Sequence, residues 1–329
     1  MKKLIFCLLV GFIMISSGPN RNTAHAADPV ELKAVTAFPK NHPLVSPQGH
    51  EWIKMLNSAL QGKAHIKYVG GPEAVPPRDQ IEAVRNNIIQ ITMLPTAYYS
   101  SLVPTAATSV LVRFKDAMEM RNSGYNDFLV KQHEKIGVRY LGPVTWGSFY
   151  MWLKKPIKNL EELKGKKMRS FFLYDRFQKA LGMTPVTIAV PELFTALERG
   201  VVQGFCFPLG GPRQQGWTKS TKYIIPYSFY ALDVMFLMNL DTWKRLPKSA
   251  QDKIEEIAAK KYEPYMMDLV EGNDKKEWEA LTKSGVKKIS LSNAEAKKYV
   301  DTAYRVKWQE LEEKIPADLI SKLKKLTGN

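Results

Sequence analysis

The fold is decided by residues 165–208, which read GKKMRSFFLYDRFQKALGMTPVTIAVPELFTALERGVVQGFCFP. A basic turn leads into a short strand that ends at Arg169. A helical segment follows, and Gly182 ends it because a residue without a Cβ tolerates the left-handed backbone of a helix stop. The apolar face of this helix is predicted to contain Phe172, Phe177 and Leu181.

The second half of the stretch repeats this alternation. Residues 186–190 are apolar and rich in β-branched side chains, which predicts a buried strand. A further helix ends at Gly200, and a third strand runs to Pro208. Strand, helix, strand, helix, strand in one stretch indicates a βαβαβ unit with parallel strands. Functional groups of such a unit lie at the carboxyl ends of its strands, where the sequence places Arg169 and Phe207.

The same stretch resembles the core signature of the periplasmic solute-binding proteins of tripartite ATP-independent periplasmic (TRAP) transporters, the DctP family. The family pattern runs G-x-K-[IM]-R, then L-G-[AM]-x-P-V, then E-[LVY]-[FY]-x-A-L-x-x-G-V-V-[DQ]-G, followed by a proline. So many ordered matches are far more specific than one short motif. The matching residues are Gly165, Lys167, Met168, Arg169, Leu181, Gly182, Pro185, Val186, Glu192, Phe194, Ala196, Leu197, Gly200, Val201, Val202, Gly204 and Pro208.

The resemblance implies an α/β, two-domain periplasmic binding protein fold (type II-like). Its domains would be discontinuous, would flank a ligand cleft and would share a long helix. Residues 27–146 plus 233–272 are predicted to form domain I. Residues 147–232 plus 273–329 are predicted to form domain II.

Residues 1–26 are predicted to be a signal peptide. Two lysines precede an apolar run that is shorter than the roughly 20 residues a bilayer span needs. Residues 24–26 form an A-x-A cleavage site, so the mature chain would begin at Ala27 and work in the periplasm. One cysteine, Cys206, then remains, which excludes an intramolecular disulfide.

The whole sequence has a formal net charge of +16. The lysines are spread along the C-terminal part of the chain and no nucleic-acid-binding motif is present, which indicates a solvated surface rather than a nucleic-acid partner. No later stretch is apolar for long enough to span a bilayer, so no direct membrane insertion is expected after signal cleavage.

Arg169 is the strongest candidate for a binding residue. Its guanidinium presents a planar fork of donors that fits a carboxylate with two parallel hydrogen bonds. The resemblance implies that the arginine at this motif position grips the carboxylate of the ligand. The competing interpretation is a surface arginine, or one paired with Glu192 or Asp175.

Other pocket positions differ from the better-known sialic-acid and dicarboxylate binders of the family. Phe207 stands where those proteins often have an asparagine, and Phe149 stands where some have a second arginine. We therefore predict an apolar wall that suits an aromatic or short apolar organic acid, although a small sulfonate fits the same arginine. The competing interpretation is ordinary core packing. The predicted wall residues are Phe207, Phe149, Trp146, Tyr98 and Phe38.

An enzyme is not expected. The histidines have no metal-ligand spacing, and no nucleotide-binding or nucleophile motif is present. Cys206 lies among apolar residues, which favours an inert thiol. No cofactor and no metal are predicted.

The predicted function is therefore the periplasmic capture of an organic anion. The resemblance implies delivery to the small and large membrane permease subunits of a TRAP system, with uptake driven by an ion gradient. Two alternatives remain at this point. One is a binding protein of an ATP-driven importer or a sensor that presents its ligand to a receptor, and the other is a periplasmic enzyme.

Overall fold

The structure, a computed structural model, describes residues 30–40, 42, 46–60 and 62–329. The predicted signal peptide lies outside the described residues. Within them, a five-stranded sheet and a six-stranded sheet are flanked by helices. No helix in this described part is long and apolar enough to cross a membrane.

The first sheet is built mainly from the N-terminal part of the chain. Its strands are β1 (Val30–Thr36), β2 (Ala64–Gly70), β3 (Ile91–Pro95), β4 (Val138–Pro143) and β10 (Val234–Asn239). Their spatial order is β2-β1-β3-β10-β4. The first three are mutually parallel, whereas β10 returns from far along the chain and pairs antiparallel with both neighbours.

The second sheet contains the βαβαβ unit that the sequence predicts. Its strands are β5 (Ser148–Leu153), β6 (Lys167–Ser170), β7 (Thr184–Thr187), β8 (Gly204–Pro208), β9 (Tyr223–Ala231) and β11 (Lys287–Lys288). Their spatial order is β11-β9-β5-β8-β6-β7. Strand β6 runs parallel to β7 and β8, as expected for right-handed crossovers through helices.

The α-helices pack on the faces of these sheets. They are α1 (Ser46–Ala59), α2 (Gln80–Arg85), α3 (Ala117–Asn122), α4 (Tyr125–Glu134), α5 (Asp175–Ala180), α6 (Leu193–Glu198), α7 (Leu240–Arg245), α8 (Lys248–Ile257), α9 (Glu263–Lys283), α10 (Asn293–Glu312) and α11 (Ala317–Leu326). Gly182 and Gly200 have φ of +77° and +71°, so both predicted helix stops adopt the left-handed backbone.

Helices α8 and α9 form one long, nearly continuous helix. A π-helical turn, Ala258–Tyr262, joins them just before Pro264. Proline has no N–H to donate to the preceding turn. In a π turn the hydrogen bonds run from residue i to i+5 instead of i+4, which changes the hydrogen-bond pattern just before the proline. Met266 packs into the core of the first sheet and Leu281 into that of the second. The long helix therefore contacts both units.

The C-terminal helices also contact both units. Helix α10 packs against α5 and β9, whereas the chain end returns to the first unit. There, Arg113 donates its backbone N–H to Thr327 at 3.0 Å, and Asn329 Nδ2 donates to the Leu111 carbonyl at 2.7 Å. The sequence assigns residues 273–329 to domain II, yet 327–329 contact residues of domain I. The predicted domain boundaries therefore remain a prediction.

Two local expectations for the central stretch are wrong. The predicted buried strand at 186–190 is instead β7, which lies at the edge of its sheet, and Val190 is 39% exposed. Phe172 precedes α5 rather than lying on it, and its ring is partly exposed. Val190 faces the space between the two sheets, and the Phe172 ring lies against that of Tyr98 in the first unit. A local sequence pattern does not reveal such contacts.

Candidate functional site

A cavity of about 160 Å³ lies between the two sheets, where several strands reach their carboxyl ends. Strands β3, β6 and β8 end beside it, which is where α/β proteins place their ligands. Its lining is mostly apolar. The lining residues are Phe38, His42, Pro95, Ala97, Tyr98, Thr145, Phe149, Arg169, Phe171, Leu173, Tyr174, Val190, Phe207, Pro208, Leu232, Asp233 and Val234.

Arg169 projects into this cavity from β6 and is 5% exposed. Its Nε donates to the Ile188 carbonyl at 3.0 Å and its Nη1 donates to the Tyr174 hydroxyl at 2.7 Å. Tyr174 donates in turn to the Cys206 carbonyl at 3.0 Å. Burial raises the pKa of the Tyr174 hydroxyl, which therefore stays protonated and keeps this donation.

The pairing of Arg169 with a neighbouring acid, considered from the sequence, is not observed. Asp175 accepts a hydrogen bond from Ser170, and no carboxylate of the described residues forms an ion pair with Arg169. A guanidinium has five N–H donors, and the contacts named above use two of them. The remaining donors are available to a ligand in the cavity.

Four of the five predicted aromatic residues line the cavity, and they come from both sheets. These are Phe38 and Tyr98 on the first-sheet side and Phe149 and Phe207 on the second. Phe149 lies with its ring centroid 5.8 Å from that of Tyr174. Trp146 does not line the cavity. Its ring packs against the apolar clusters of the protein, and its role in ligand contact stays a prediction.

The two walls of the cavity touch through aromatic rings. The Tyr98 ring lies edge-on to those of Phe171 and Phe172, with centroid separations of 6.2 and 6.1 Å. The guanidinium of Arg78 lies 5.8 Å from the centre of the Phe172 ring. These contacts are of the weak edge-to-face and cation–π kinds, about 1 kcal/mol each, so they hold the walls together reversibly.

Sequence reasoning missed the acid and the imidazole of the cavity. Asp233 immediately precedes β10 and is 6% exposed, and burial raises its pKa to about 6. The His42 ring lies against that of Phe38, tilted by 48° with the ring centroids 4.6 Å apart, and burial lowers the pKa of His42 to about 4. His42 Nδ1 has no hydrogen-bond partner among the described residues. The available signal was weak, since each is a single polar residue in a loop.

The described residues hold no group of three or more His, Cys, Asp or Glu side chains arranged to bind a metal ion. The cavity itself contains one cation, one acid and one imidazole. A few polar groups in a mostly apolar lining are typical of a binding site for a small molecule.

Residues 34–314 match the model of the DctP family, the bacterial extracellular solute-binding proteins of family 7. The chain belongs to this family. The match confirms the family recognised from the central signature and the predicted location outside the cytoplasm. The description of the family is that of solute-binding proteins.

Individual relatives of this family 7 protein are distant. It is 26% identical over 248 residues to the monocarboxylate 2-oxoacid-binding periplasmic protein of Nostoc sp.. That match covers 71% of this chain and 66% of the relative, so about a third of the relative's length is not spanned.

Solved structures confirm the predicted α/β two-domain fold. A TRAP periplasmic solute-binding protein from Desulfovibrio desulfuricans, with bound sn-glycerol-3-phosphate, is similar at a TM-score of 0.77 and 24% identity, over 91% of this chain and 97% of that one. A TRAP protein from Desulfovibrio salexigens, with bound orotic acid, has the same TM-score and coverage at 20% identity. At such identities the similarity establishes the fold alone.

Proposed function

We propose that this family 7 protein is the periplasmic solute-binding component of a TRAP transport system, and that it captures a small organic anion on Arg169. The observation that carries the proposal is the state of this arginine. It is 5% exposed, faces an apolar cavity and has no carboxylate partner among the described residues.

A buried cation without a counter-ion is costly, because it has lost its hydration and gained no compensating charge. An anionic ligand removes that cost when it enters. The two fixed hydrogen bonds to Ile188 and Tyr174 hold the guanidinium in place. A carboxylate can then take two parallel hydrogen bonds from it, and a small sulfonate satisfies the same donors.

The remainder of the ligand is proposed to be aromatic or short and apolar. Phe149, Phe207, Tyr98 and Phe38 surround the space next to Arg169. A volume of about 160 Å³ is small beside the roughly 300–1,000 Å³ of pockets for drug-sized ligands. The molecules bound by the two Desulfovibrio proteins, orotic acid and sn-glycerol-3-phosphate, are also small anions.

Release and delivery would follow from movement of the two units. The cleft is spanned by the Tyr98 contacts to Phe171 and Phe172 and by the long helix α8–α9. Opening and closing about such connections is the hinge motion of periplasmic binding proteins. The closed, loaded form is proposed to dock on small and large permease subunits that use an ion gradient.

The test is thermal denaturation of the mature chain, Ala27 to Asn329, with a panel of organic acids and sulfonates. A ligand at a hundred times its Kd adds about 2.7 kcal/mol of stability. We expect at least one small acid to raise the Tm. Arg169→Ala should weaken its binding by about 100-fold, because the anion loses a desolvated partner. Arg176→Ala, seven residues along and paired with Glu313 on the surface, is the matched control.

Equal binding by the wild type and Arg169→Ala would remove Arg169 from the site. Turnover of a bound acid would overturn the proposal of a binding protein without catalysis. Uptake in cells that survives collapse of the ion gradient but not depletion of ATP would overturn the proposed permease class.

A further inference from the structure

The cavity carries opposite charges on its two walls. Arg169 projects from β6 of the second sheet, and Asp233 immediately precedes β10 of the first. Both side chains are buried, at 5% and 6% exposed. Between them the lining is dominated by aromatic and aliphatic side chains.

Asp233 is held firmly by its own wall. The hydroxyls of Thr96 and Ser109 both donate to its Oδ2, the second over 3.2 Å. The backbone N–H of Thr96 also favours the charged form. Since a carboxylate offers about four acceptor positions, these three donors leave capacity for one more.

No basic side chain of the described residues forms an ion pair with Asp233. Lys307 attracts its charge, but the Lys307 ammonium bonds Glu310 at 3.0 Å. Desolvation is the largest influence on Asp233 and raises its pKa to about 6. A ligand that donates a hydrogen bond to the remaining acceptor position would offset that desolvation.

We propose that Asp233 is a second polar anchor of the ligand, and that the site selects small carboxylic acids bearing a hydroxyl or N–H group that donates to Asp233. This inference rests on the proposed anion binding at Arg169. A carbonyl or a hydrogen at the same place on the ligand would leave the buried acceptor unpaired. A binding site whose buried acceptor takes a hydrogen bond from the ligand binds analogues without that donor much more weakly.

His42 supplies further support for a ligand with polar groups away from its carboxylate. It lines the same cavity from the first-sheet side, and its Nδ1 has no partner among the described residues. Because burial lowers its pKa to about 4, the ring is neutral near pH 7. A neutral imidazole can accept from, or donate to, the same ligand group.

The experiment compares acids that share one carbon skeleton. One trio is mandelate, phenylglyoxylate and phenylacetate; the other is 2-hydroxyisocaproate, 4-methyl-2-oxopentanoate and 4-methylpentanoate. Titration calorimetry at pH 7.5 on the wild-type mature chain gives each Kd. We expect the hydroxy acid of a binding trio to be favoured by at least about tenfold over its oxo and hydrocarbon counterparts, because only it pairs the buried acceptor.

Asp233→Asn sharpens the comparison. The hydroxyls of Thr96 and Ser109 would retain the amide oxygen as their acceptor, so the amide NH₂ would face the ligand. The preference should then shift from the hydroxy acid towards the oxo acid. Asp274→Asn is the matched control, because Asp274 is also an acid whose pKa burial raises to about 6. It does not line the cavity, so its substitution should leave the preference unchanged.

The possible outcomes separate the two proposals. Equal or tighter binding of the oxo or hydrocarbon acid by the wild type would overturn the role of Asp233, even while Arg169→Ala still abolishes binding. A hydroxy-acid preference that persists in a folded Asp233→Asn protein would overturn it as well. If no acid of either trio and none of the wider panel binds, the anion-binding proposal fails and this inference falls with it. The comparison of acids on the wild-type protein tests the role of Asp233 even if the Asp233→Asn variant does not fold.

Discussion

The Arg169 guanidinium donates through Nη1 to the Tyr174 hydroxyl, 2.7 Å away, and the Tyr174 hydroxyl in turn donates a hydrogen bond to the Cys206 carbonyl at 3.0 Å. Together with the bond from Nε to Ile188, this chain fixes the plane of the guanidinium. The arginine is thus oriented before any ligand arrives. Such preorganisation lowers the entropic cost of binding.

Tyr174→Phe should loosen that orientation without removing the charge. We expect the Kd of the best acid found in the panel to rise by about five- to tenfold, well short of the effect of Arg169→Ala, because one neutral hydrogen bond contributes about 1 kcal/mol. Titration calorimetry measures the change. Tyr265→Phe, on the partly exposed face of α9, is the control. An unchanged Kd in Tyr174→Phe would show that Tyr174 does not position Arg169.

Arg121, which is partly exposed, and the buried Glu263 form an ion pair at the start of α9. Arg121 Nε lies 2.7 Å from Glu263 Oε2, and Glu263 is 3% exposed. Arg121→Ala should cost about 3–5 kcal/mol in urea unfolding, because it leaves a buried carboxylate without its partner. Burial already raises the pKa of Glu263 despite the arginine, so the variant should lose least near pH 4.

Arg176→Ala removes a pair of the same two-pronged geometry at the surface. Arg176 Nη1 and Nη2 each lie 2.7 Å from an oxygen of Glu313. Water competes for both partners, so the unfolding midpoint should move little. Comparable losses in Arg121→Ala and Arg176→Ala would show that burial does not govern these pairs.

Asp233 should make stability depend on pH in the absence of ligand. Its pKa is raised by burial from an ordinary 3.8 to about 6 in the folded protein. The folded state therefore binds the proton more tightly than the unfolded state. The resulting stabilisation is fully present below about pH 4 and is lost as the pH rises through about 6. A shift of one pKa unit corresponds to about 1.4 kcal/mol, so the total loss in the free energy of unfolding should be about 3 kcal/mol.

Asp233→Asn has no proton to lose at this position. The difference in unfolding free energy, wild type minus variant, should therefore fall as the pH is raised from 4 to 7. Urea titrations at four pH values across that range measure it. A difference that stays constant with pH would mean that Asp233 titrates normally in the folded protein.

Cys206 should be unreactive until the protein unfolds. It is fully buried in β8, and burial raises its pKa to about 12. Since the thiolate is the reactive form, Ellman's reagent at pH 8 should label the native mature chain very slowly and the denatured chain at once. Ser321→Cys, at an exposed position of α11, supplies a matched accessible thiol. Rapid labelling of native wild-type protein would contradict the buried placement.

The sequence by itself determined the order of helices and strands in the βαβαβ part of the second unit. Alternation of apolar runs with Gly182 and Gly200 predicted β6, α5, β7, α6 and β8 in the right order, because those signals are local and act within a few residues. The same locality placed Arg169 at the carboxyl end of a strand. A helix stop or a strand end depends on backbone preferences that each residue carries with it.

Tertiary structure alone decided what meets at the cavity. Whether 184–187 is a central or an edge strand depends on where β8 is added to the sheet, and β8 pairs with β6 on the side away from β7. The Trp146 side chain packs against the apolar clusters, whereas His42 and Asp233, which are far apart in the sequence, both line the cavity. Burial set the pKa of both polar groups, and burial is a property of the assembled fold.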